Sequence, residues 1–312
     1  MSTMDDIYTK SQTDNTKTLP TVTAVIVTHN RLEFLKLAIQ SVKNQDYKQL
    51  IEIIVVDDAS TDGTGDYLKS LDGITPILIQ KEDSKGANHA RNVGIEIAHG
   101  EYVAFLDDDD QWMPNKISSQ ILELFNNPGS SIAGCRRVFR DDNGKQWEEG
   151  YPPKGVIGEQ VLYTMPYVSS CLMVSKELLD SVGRFDEQLT HWQEYELEIR
   201  LLLSGREIVC PEEPLVLYRV STADSSRLSM NLDNWEIAVS RIEDKYHDEI
   251  CRASTEAQLR RKYMIALDGA KRADTLHLKS RERAYLWQAF RALPSLRSFT
   301  KFVLCKPSLH SI

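Results

Sequence analysis

Short apolar runs alternate with segments of helical periodicity through the first 110 residues of this 312-residue chain. Four of these runs are rich in β-branched or aromatic residues, which predicts strands covered on both faces. The predicted strands are 22–28, 51–56, 74–79 and 102–106. The predicted helices between them are 32–42, 64–71 and 87–98. This alternation predicts a Rossmann-like α/β fold, in which a mostly parallel sheet is flanked by helices.

The remainder of the chain divides into a mixed half-sheet and a helical region. The predicted helices are 114–125, 176–182 and 193–204, and the predicted strands are 132–139, 171–174 and two short ones near residues 208 and 216. Asp-Asn-Gly at 142–144 is a hairpin turn signal. After residue 223 the chain is rich in Arg, Lys and Ala and has no strand pattern. We assign 1–20 to a disordered leader, 21–223 to one α/β domain and 224–312 to a C-terminal helical appendage.

Composition excludes several classes of protein. The chain carries 37 basic and 46 acidic side chains, a formal charge of −9, which argues against a nucleic-acid-binding protein. The five cysteines are far apart and form no CxxC pair, so we expect free thiols in a reducing compartment. No apolar h-region opens the chain, and nowhere do about 18 apolar residues follow one another. We therefore expect a cytoplasmic protein without a transmembrane helix.

Polar residues follow three of the predicted strands at the point where each ends. Thr-His-Asn at 28–30 follows the first strand, Asp-Asp at 57–58 the second, and four aspartates at 107–110 the fourth. The carboxyl ends of parallel strands meet at one edge of a sheet, which is where such folds bind ligands. The three clusters are therefore expected to converge on one site.

The run of four aspartates at 107–110 is the most informative of these clusters. Close carboxylates repel one another by about 1 kcal/mol per pair even in water. At the end of a buried strand they need a compensating cation, and oxygen ligands suit Mg²⁺ or Mn²⁺, which would also hold a diphosphate. The alternative is a solvated acidic turn that caps the next helix through its dipole.

Two further segments carry residues suited to binding a nucleotide. Asp57 or Asp58, after the second strand, can accept hydrogen bonds from a base or a ribose. Helix capping by Ser60 or Asp62 is the alternative use of this turn. Arg91 lies one turn into the helix after the third strand, where the helix N-terminus favours anions such as phosphates. The alternative for Arg91 is a solvated helix side chain.

Glu194 and Glu196 open the predicted helix at 193–204 and are candidate general bases. Because they are two residues apart, they cannot share a helix face, and one of them must point elsewhere. The spacing alone does not choose between them.

Together these residues resemble the family 2 glycosyltransferases, nucleotide-sugar enzymes of the GT-A fold. The resemblance covers residues 21–219, about two-thirds of the chain, and rests on six motifs in a fixed order. The motifs are VIVTHNR at 25–31, VVDDASTDGT at 55–64, GANHARNVGI at 86–95, GEYVAFLDDDDQWMPNK at 100–116, GRFDE at 183–187 and EYELEIRL at 194–201.

The resemblance implies a role for each matching residue. Thr28 and Asp58 would contact the base of the donor. The full set of donor-binding residues that it implies is Thr28, Asn30, Arg31, Asp57, Asp58, Arg91, Asp107 and Asp108. Asp107 and Asp109 would form the DxD motif that holds Mg²⁺ or Mn²⁺, with Asp109 the direct metal ligand.

The chain departs from the family pattern at two places. The family usually has Glu-Asp before the helix at 193–204, with the Asp as catalytic base, whereas this chain has Gln193-Glu194. Glu194 then becomes the base, and Glu196 is the alternative. Many relatives also place a histidine shortly after the arginine that corresponds to Arg219, and this chain has none there.

The resemblance implies an inverting, metal-dependent transfer of a sugar from a nucleoside diphosphate donor, expected to be UDP-linked, to an acceptor hydroxyl. The acceptor would be a glycan or a lipid-linked glycan in the synthesis of bacterial surface polysaccharide or glycolipid. A catalytically inactive nucleotide-sugar-binding protein is one alternative, because of the departure at 193–194. A nucleotidyltransferase is another, although the segment 28–35 lacks the glycine-rich loop that would hold a triphosphate.

The C-terminal stretch 276–312 combines seven basic residues with one acid, Glu282, and with apolar residues at helical spacing. This pattern is typical of an amphipathic segment that lies on an anionic membrane surface. It would give the protein a peripheral location on the cytoplasmic face of the membrane. The alternative is a helix docked on the catalytic domain, with its basic residues solvated.

Overall fold

The computed structural model describes residues 19–148, 158–165, 167–221, 231–295 and 302. Nearly all of the predicted leader, and the end of the C-terminal stretch, lie outside these residues. The chain forms two compact units, the first from residues 1–157, 166–187 and 193–221 and the second from 158–165, 188–192 and 222–312. Two short segments within the range 21–223 thus group with the C-terminal helices.

Eleven strands are found among the described residues, all in the first unit. They are β1 (Val22–Thr28), β2 (Leu50–Asp58), β3 (Thr75–Ile79), β4 (Tyr102–Asp107), β5 (Gln111–Trp112), β6 (Ile132–Ala133), β7 (Arg136–Asp141), β8 (Gln146–Glu148), β9 (Met173–Ser175), β10 (Ile208–Val209) and β11 (Pro214–Val220). The α-helices of this unit are α1 (Leu32–Lys43), α2 (Thr64–Lys69), α3 (Ala87–Ile97), α4 (Lys116–Asn126), α5 (Lys176–Val182) and α6 (Gln193–Leu203).

A seven-stranded sheet forms the centre of the first unit, in the order β10-β6-β9-β4-β1-β2-β3. Strands β4, β1, β2 and β3 are parallel, and β9 runs antiparallel to both of its neighbours. Every residue of β1 is buried, as expected for a continuous apolar strand between two others with helices on the faces. The predicted α/β class with a mostly parallel sheet is confirmed.

The register of the sheet brings the polar strand ends together. Thr28 at the end of β1 lies beside Asp57 of β2, and Val27 lies beside Asp107 of β4. The carboxyl ends of these three neighbouring strands therefore form one edge.

The first unit also contains a second sheet of four strands, in the order β5-β11-β7-β8. The predicted single strand at 132–139 is wrong in its extent, because the chain breaks at Gly134-Cys135 into β6 and β7, which belong to different sheets. A Cβ at Gly134 would lie 2.4 Å from the Tyr167 ring, so only glycine fits at this change of sheet. The predicted turn at 142–144 joins β7 to β8 as a hairpin.

The second unit is helical. Its described α-helices are α7 (Leu232–Lys245), α8 (His247–Arg252), α9 (Thr255–Thr275) and α10 (Lys279–Ala292). Buried Leu286 of α10 packs on Ala270 of α9, with Tyr285 and Phe302 beside them. No helix in the described part of the chain has the length and apolarity needed to cross a bilayer.

The cysteines that the structure describes are free thiols: Cys135, Cys171, Cys210 and Cys251. Cys305 lies outside the described residues.

Candidate active site

The turns that follow β1 and β2 are joined by hydrogen bonds. The backbone N–H of Asn30 donates to Ser60 Oγ at 2.8 Å, and the N–H of Thr61 donates to Asn30 Oδ1 at 2.7 Å. Asn30 adopts a left-handed conformation (φ 53°), which asparagine tolerates better than most residues. These contacts give Asn30 a role in shaping the wall of the site.

Asp57 and Asp58 differ in how their carboxylates are used. Asp57 Oδ1 accepts the N–H of Ser60 at 2.9 Å and closes a turn in which Ala59 has a positive φ of 66°. Asp58 Oδ2 accepts the N–H of Gly86 at 3.1 Å, at the start of α3. Asp58 Oδ1 is buried and has no hydrogen-bond partner among the described residues. An orphaned buried acceptor costs about 1–3 kcal/mol, and the N–H of a base would satisfy it.

The four aspartates at 107–110 alternate in their surroundings. Asp108 and Asp110 are buried, and their oxygens are used within the protein. Asp108 accepts from Thr28 Oγ1 at 2.8 Å, whereas Asp110 accepts from Ser170 Oγ at 2.5 Å and from the N–H of Arg219 at 2.9 Å. The side chains of Asp107 and Asp109 are 28% and 12% exposed. The run is therefore two interleaved pairs, and Asp107 and Asp109 are the accessible pair.

Burial raises the pKa values of the inner pair, Asp108 and Asp110. Burial, reinforced by the charge of Asp109, raises the pKa of Asp108 to about 6. Burial, reinforced by Asp109 and then Asp107, raises the pKa of Asp110 well above its ordinary value. Both oxygens of Asp110 accept hydrogen bonds from distant segments, and through these contacts Asp110 holds the loop.

Two arginines flank the outer aspartate Asp109. Arg31 Nη1 lies 3.3 Å from oxygens of both Asp108 and Asp109. Arg219 Nη1 lies 3.9 Å from Asp109, and its Nη2 donates to Asp142 at 2.6 Å. Guanidinium groups bind phosphate in the same bidentate manner as carboxylate. Both arginines are therefore placed where a bound diphosphate would find cationic donors.

Arg91 connects the acidic run to the predicted base. It is buried, and its Nη2 donates to Asp107 Oδ1 at 2.7 Å and lies 3.7 Å from Glu194 Oε1. Its Nη1 donates to Gln193 Oε1 at 3.3 Å. Burial opposes the charge on Arg91, but Asp107 and Glu194 outweigh it and raise the pKa of the guanidinium. The alternative of a solvated helix arginine is thus wrong.

Glu194 and Glu196 point in different directions, as their spacing requires. Glu194 Oε1 accepts a hydrogen bond from Ser169 Oγ at 2.5 Å and lies beside Arg91. Glu196 is fully buried in a bidentate ion pair with Arg200, at 2.9 and 2.6 Å. The structure therefore argues against the alternative base, Glu196, because both of its oxygens are held by a structural partner.

Sequence reasoning missed three residues that shape this site. Ser169 and Ser170 contact Glu194 and Asp110 from a short 3-10 turn, and Arg219 reaches Asp109 from β11. Nothing in the pattern around the two serines distinguishes them from ordinary loop residues. Arg219 could have been found, because it stands at the position where the family pattern has an arginine.

The carboxylates of this site would suit a hard divalent ion that takes most of its ligands from water and from the substrate. Among the described residues, no group of three or more His, Cys, Asp or Glu side chains is placed to hold a metal. Mg²⁺ commonly uses one or two carboxylates together with substrate phosphates and waters. Asp107 and Asp109 offer two carboxylates of this kind, and the proposed metal would depend on the donor for its remaining ligands.

The comparison with known proteins identifies the class. The family described as glycosyl transferase family 2 matches residues 23–183, just over half of the chain. An uncharacterized glycosyltransferase of Methanocaldococcus jannaschii is 30% identical over 212 residues, which cover 66% of this chain and 73% of that protein. The chain belongs to glycosyltransferase family 2, and it is a transferase enzyme.

A relative of known activity covers a similar range. The GalNAc(5)-diNAcBac-PP-undecaprenol beta-1,3-glucosyltransferase of Campylobacter jejuni is 26% identical over 230 residues, 72% of this chain and 73% of that protein. The UDP-Glc:alpha-D-GlcNAc-diphosphoundecaprenol beta-1,3-glucosyltransferase WfaP of Escherichia coli is 42% identical over 100 residues, 32% of this chain and 39% of that protein. The chain is thus related to bacterial enzymes that act on lipid-linked glycans.

The fold also matches a solved structure. TarS residues 1–349 of S. aureus, crystallised with UDP-GlcNAc, superpose with a TM-score of 0.56 over 91% of this chain and 79% of that chain, at 18% identity. The expected GT-A fold is confirmed.

Proposed function

We propose that this protein transfers a sugar from a UDP-sugar to a hydroxyl of a glycan or lipid-linked glycan acceptor, with inversion and with Mg²⁺ or Mn²⁺. The observation that carries the proposal is the position of Arg91, 2.7 Å from Asp107 and 3.7 Å from Glu194. Because Arg91 contacts both Asp107 and Glu194, it supports a site in which the proposed base lies near a proposed metal ligand. The guanidinium of Arg91 would then lie between the carboxylate near the donor diphosphate and the base near the acceptor hydroxyl.

The choice of a UDP donor is supported by relatives and by one orphaned atom. The matched TarS structure contains UDP-GlcNAc, and the name of the E. coli relative specifies UDP-Glc. Asp58 Oδ1, buried without a partner in the described part of the chain, suits the imide N–H of uracil. Neither observation selects the sugar.

Asp107 and Asp109 are the residues that would hold the metal. When bound, the ion would supply Lewis-acid neutralisation of the diphosphate. Arg31 and Arg219 would add cationic hydrogen-bond donors for the phosphate oxygens.

Glu194 would act as the general base in a single displacement. Its carboxylate would take the proton of the acceptor hydroxyl while that oxygen attacks the anomeric carbon. The bond from this carbon to the diphosphate oxygen would break, and its electron pair would leave with UDP. Ser169, which donates to Glu194 Oε1 at 2.5 Å, would orient the carboxylate.

The metal and donor are tested with the full-length protein. We expect UDP to raise the melting temperature in the presence of Mn²⁺ and to have little effect in excess chelator, because Asp107 and Asp109 would hold the ion whose charge offsets that of the diphosphate. Asp109→Ala should lose the Mn²⁺-dependent shift. Asp66→Ala, which removes an exposed carboxylate from α2, is the matched control and should retain it. An equal shift in the Asp109 variant would contradict the metal role.

The base is tested by Glu194→Gln, which keeps the size of the side chain. Transfer should fall by about a hundredfold or more, while UDP binding is retained, because a general base contributes about 10²–10⁴ in rate. Full transfer by this variant would contradict the assignment of Glu194. If the wild-type protein binds UDP but transfers nothing from any tested donor, the alternative of an inactive nucleotide-sugar-binding protein is favoured.

We also propose that the second unit attaches the protein to the cytoplasmic face of an anionic membrane. Trp287 of α10 is 44% exposed, stacks on Phe290 and contacts Phe302 in a tilted arrangement, and the guanidinium of Arg283 lies 4.5 Å from the Phe302 ring. Exposed aromatic rings beside cationic side chains are typical of membrane-interface segments. Lys279 differs from Arg283, because it forms ion pairs with Asp274 and Glu282 within the unit. Lys279 is therefore not part of the proposed membrane-binding surface.

Liposome co-sedimentation tests the attachment. Full-length protein should pellet with vesicles that contain anionic lipid but not with neutral vesicles, because basic surfaces are attracted to anionic headgroups, and Trp287→Ala should pellet less. Equal pelleting of the two proteins, or no pelleting of either, would contradict it.

A further inference from the structure

The four-stranded sheet carries a row of aromatic side chains that the proposed chemistry does not use. Phe139 of β7 is the register partner of Tyr218 of β11 on one side and of Trp147 of β8 on the other. Side chains of directly paired residues lie on the same face of a sheet. Trp147, Phe139 and Tyr218 therefore form one lateral row across three strands, which we name the aromatic row.

The rings of the aromatic row are held by one another. Phe139 and Trp147 stack at 5.6 Å with an interplanar angle of 25°, and Phe139 and Tyr218 meet edge to face at 5.7 Å. The guanidinium of Arg137 lies 5.0 Å from the Phe139 ring and 4.9 Å from the Tyr218 ring. These contacts restrict the side-chain rotamers, so that the row is a preorganised surface.

One end of the aromatic row is more exposed than the rest. Trp147 is 40% exposed, and Phe139 and Tyr218 are half-buried. An exposed tryptophan leaves much of its apolar area in water. This exposed area adds nothing to the stability of the folded chain and is available to a ligand. The negative face of an aromatic ring attracts positively polarised C–H groups, and the flat face of a pyranose presents such groups.

The inner end of the row lies at the acidic run of the active site. The N–H of Arg219, the residue after Tyr218, donates to Asp110 at 2.9 Å. Burial, followed by the negative charge of Asp110, raises the pKa of the Tyr218 hydroxyl. Tyr218 is thus within electrostatic reach of the aspartates, and the row is continuous with the candidate active site.

We propose that the aromatic row is the acceptor platform, on which a neutral pyranose ring of the acceptor glycan stacks against Trp147. The row would guide the acceptor towards the acidic run at Tyr218. This inference rests on the proposed function, since it names the acceptor subsite of the same transfer reaction. The proposed ligand of the exposed end, at Trp147, is a carbohydrate.

The platform is tested by glycan binding to the full-length protein with UDP and Mn²⁺ present. The probe is an array of defined oligosaccharides of neutral hexoses and N-acetylhexosamines. The wild-type protein should bind a subset of them, and Trp147→Ala should bind the same subset about tenfold more weakly, as expected for truncation of a stacking aromatic anchor. Trp147→Phe should recover part of the binding, because it restores a ring.

Leu203→Ala is the matched control, because Leu203, at the end of α6 in the same unit, has a similar exposure of 41% and no proposed role. It should bind the array as the wild-type protein does. Absence of binding by the wild-type protein, or equal binding by Trp147→Ala, would overturn the platform. Thermal shifts with UDP are measured on the same samples, so that loss of the donor site, which would contradict the proposed function, is seen separately.

Discussion

Lys116 provides a test of how the first unit is packed near the start of α4. Its side chain is fully buried at the start of α4, where Nζ donates to Gln120 Oε1 at 2.8 Å and lies 4.1 Å from the Trp112 ring. Burial lowers the pKa of this amine from 10.5 to about 8, and the nearby thiols Cys135 and Cys171 only partly oppose the shift.

The magnitude and the sign of the effect follow from this shift. One pKa unit corresponds to about 1.4 kcal/mol, so the charged amine costs the folded state about 3 kcal/mol. Below pH 8 both states carry the proton and the cost is fully present. Between pH 8 and 10.5 the folded state loses the proton while the unfolded state keeps it. The free energy of unfolding should therefore rise by about 1.4 kcal/mol per pH unit in this window.

Urea unfolding of the wild-type protein and of Lys116→Met isolates this contribution. The variant keeps an unbranched side chain one atom shorter and cannot titrate. The free energy of unfolding of the wild-type protein minus that of the variant should increase by about 2 kcal/mol between pH 7.5 and 9.5, a little more than half of the full effect. Lys69→Met, which changes an exposed lysine, is the control and should show no such trend. A difference that is constant with pH would refute the reasoning.

Three further substitutions have expected outcomes. Glu196→Gln breaks the buried pair with Arg200 and should lower the free energy of unfolding by about 3 kcal/mol in urea, without a matching loss of kcat in the folded fraction. Asp58→Asn should weaken UDP binding by about tenfold in calorimetry, because an amide is a poorer acceptor than a carboxylate for a base N–H; unchanged affinity would contradict the base-binding role. Gly94→Ala would place its Cβ 2.4 Å from Val25 Cγ1, so overpacking should destabilise the protein by about 2 kcal/mol, and an unchanged melting temperature would refute this packing.

The parallel half of the fold could be predicted from the sequence because each of its elements carries its own signal. The strand at Val22–Thr28 and the helix at Lys176–Val182 have the predicted bounds. The region 132–139 could not be predicted in detail, since its β-branched and aromatic residues are compatible with one strand or two. The break depends on the fit of Gly134 against the Tyr167 ring, which is a contact between distant parts of the chain.

The candidate site shows the same limit. Register between parallel strands follows from the apolar pattern, so the convergence of residues 28, 57 and 107 was predictable. The choice between Glu194 and Glu196 was not, because it depends on where Arg200 and Ser169 lie in space. Spacing on a helix shows that two side chains diverge, but not which of them faces the cleft.

The contacts of Arg91 set a limit on what could replace it. Its planar group donates from two nitrogens, with Asn88 and Gln193 at 3.3 Å from one and Asp107 at 2.7 Å from the other. A lysine could supply the positive charge, but its single ammonium cannot span partners on both sides of the cleft. Exchange of this residue for lysine would therefore disconnect the carboxylates proposed to serve the two substrates, while leaving the net charge of the pocket unaltered.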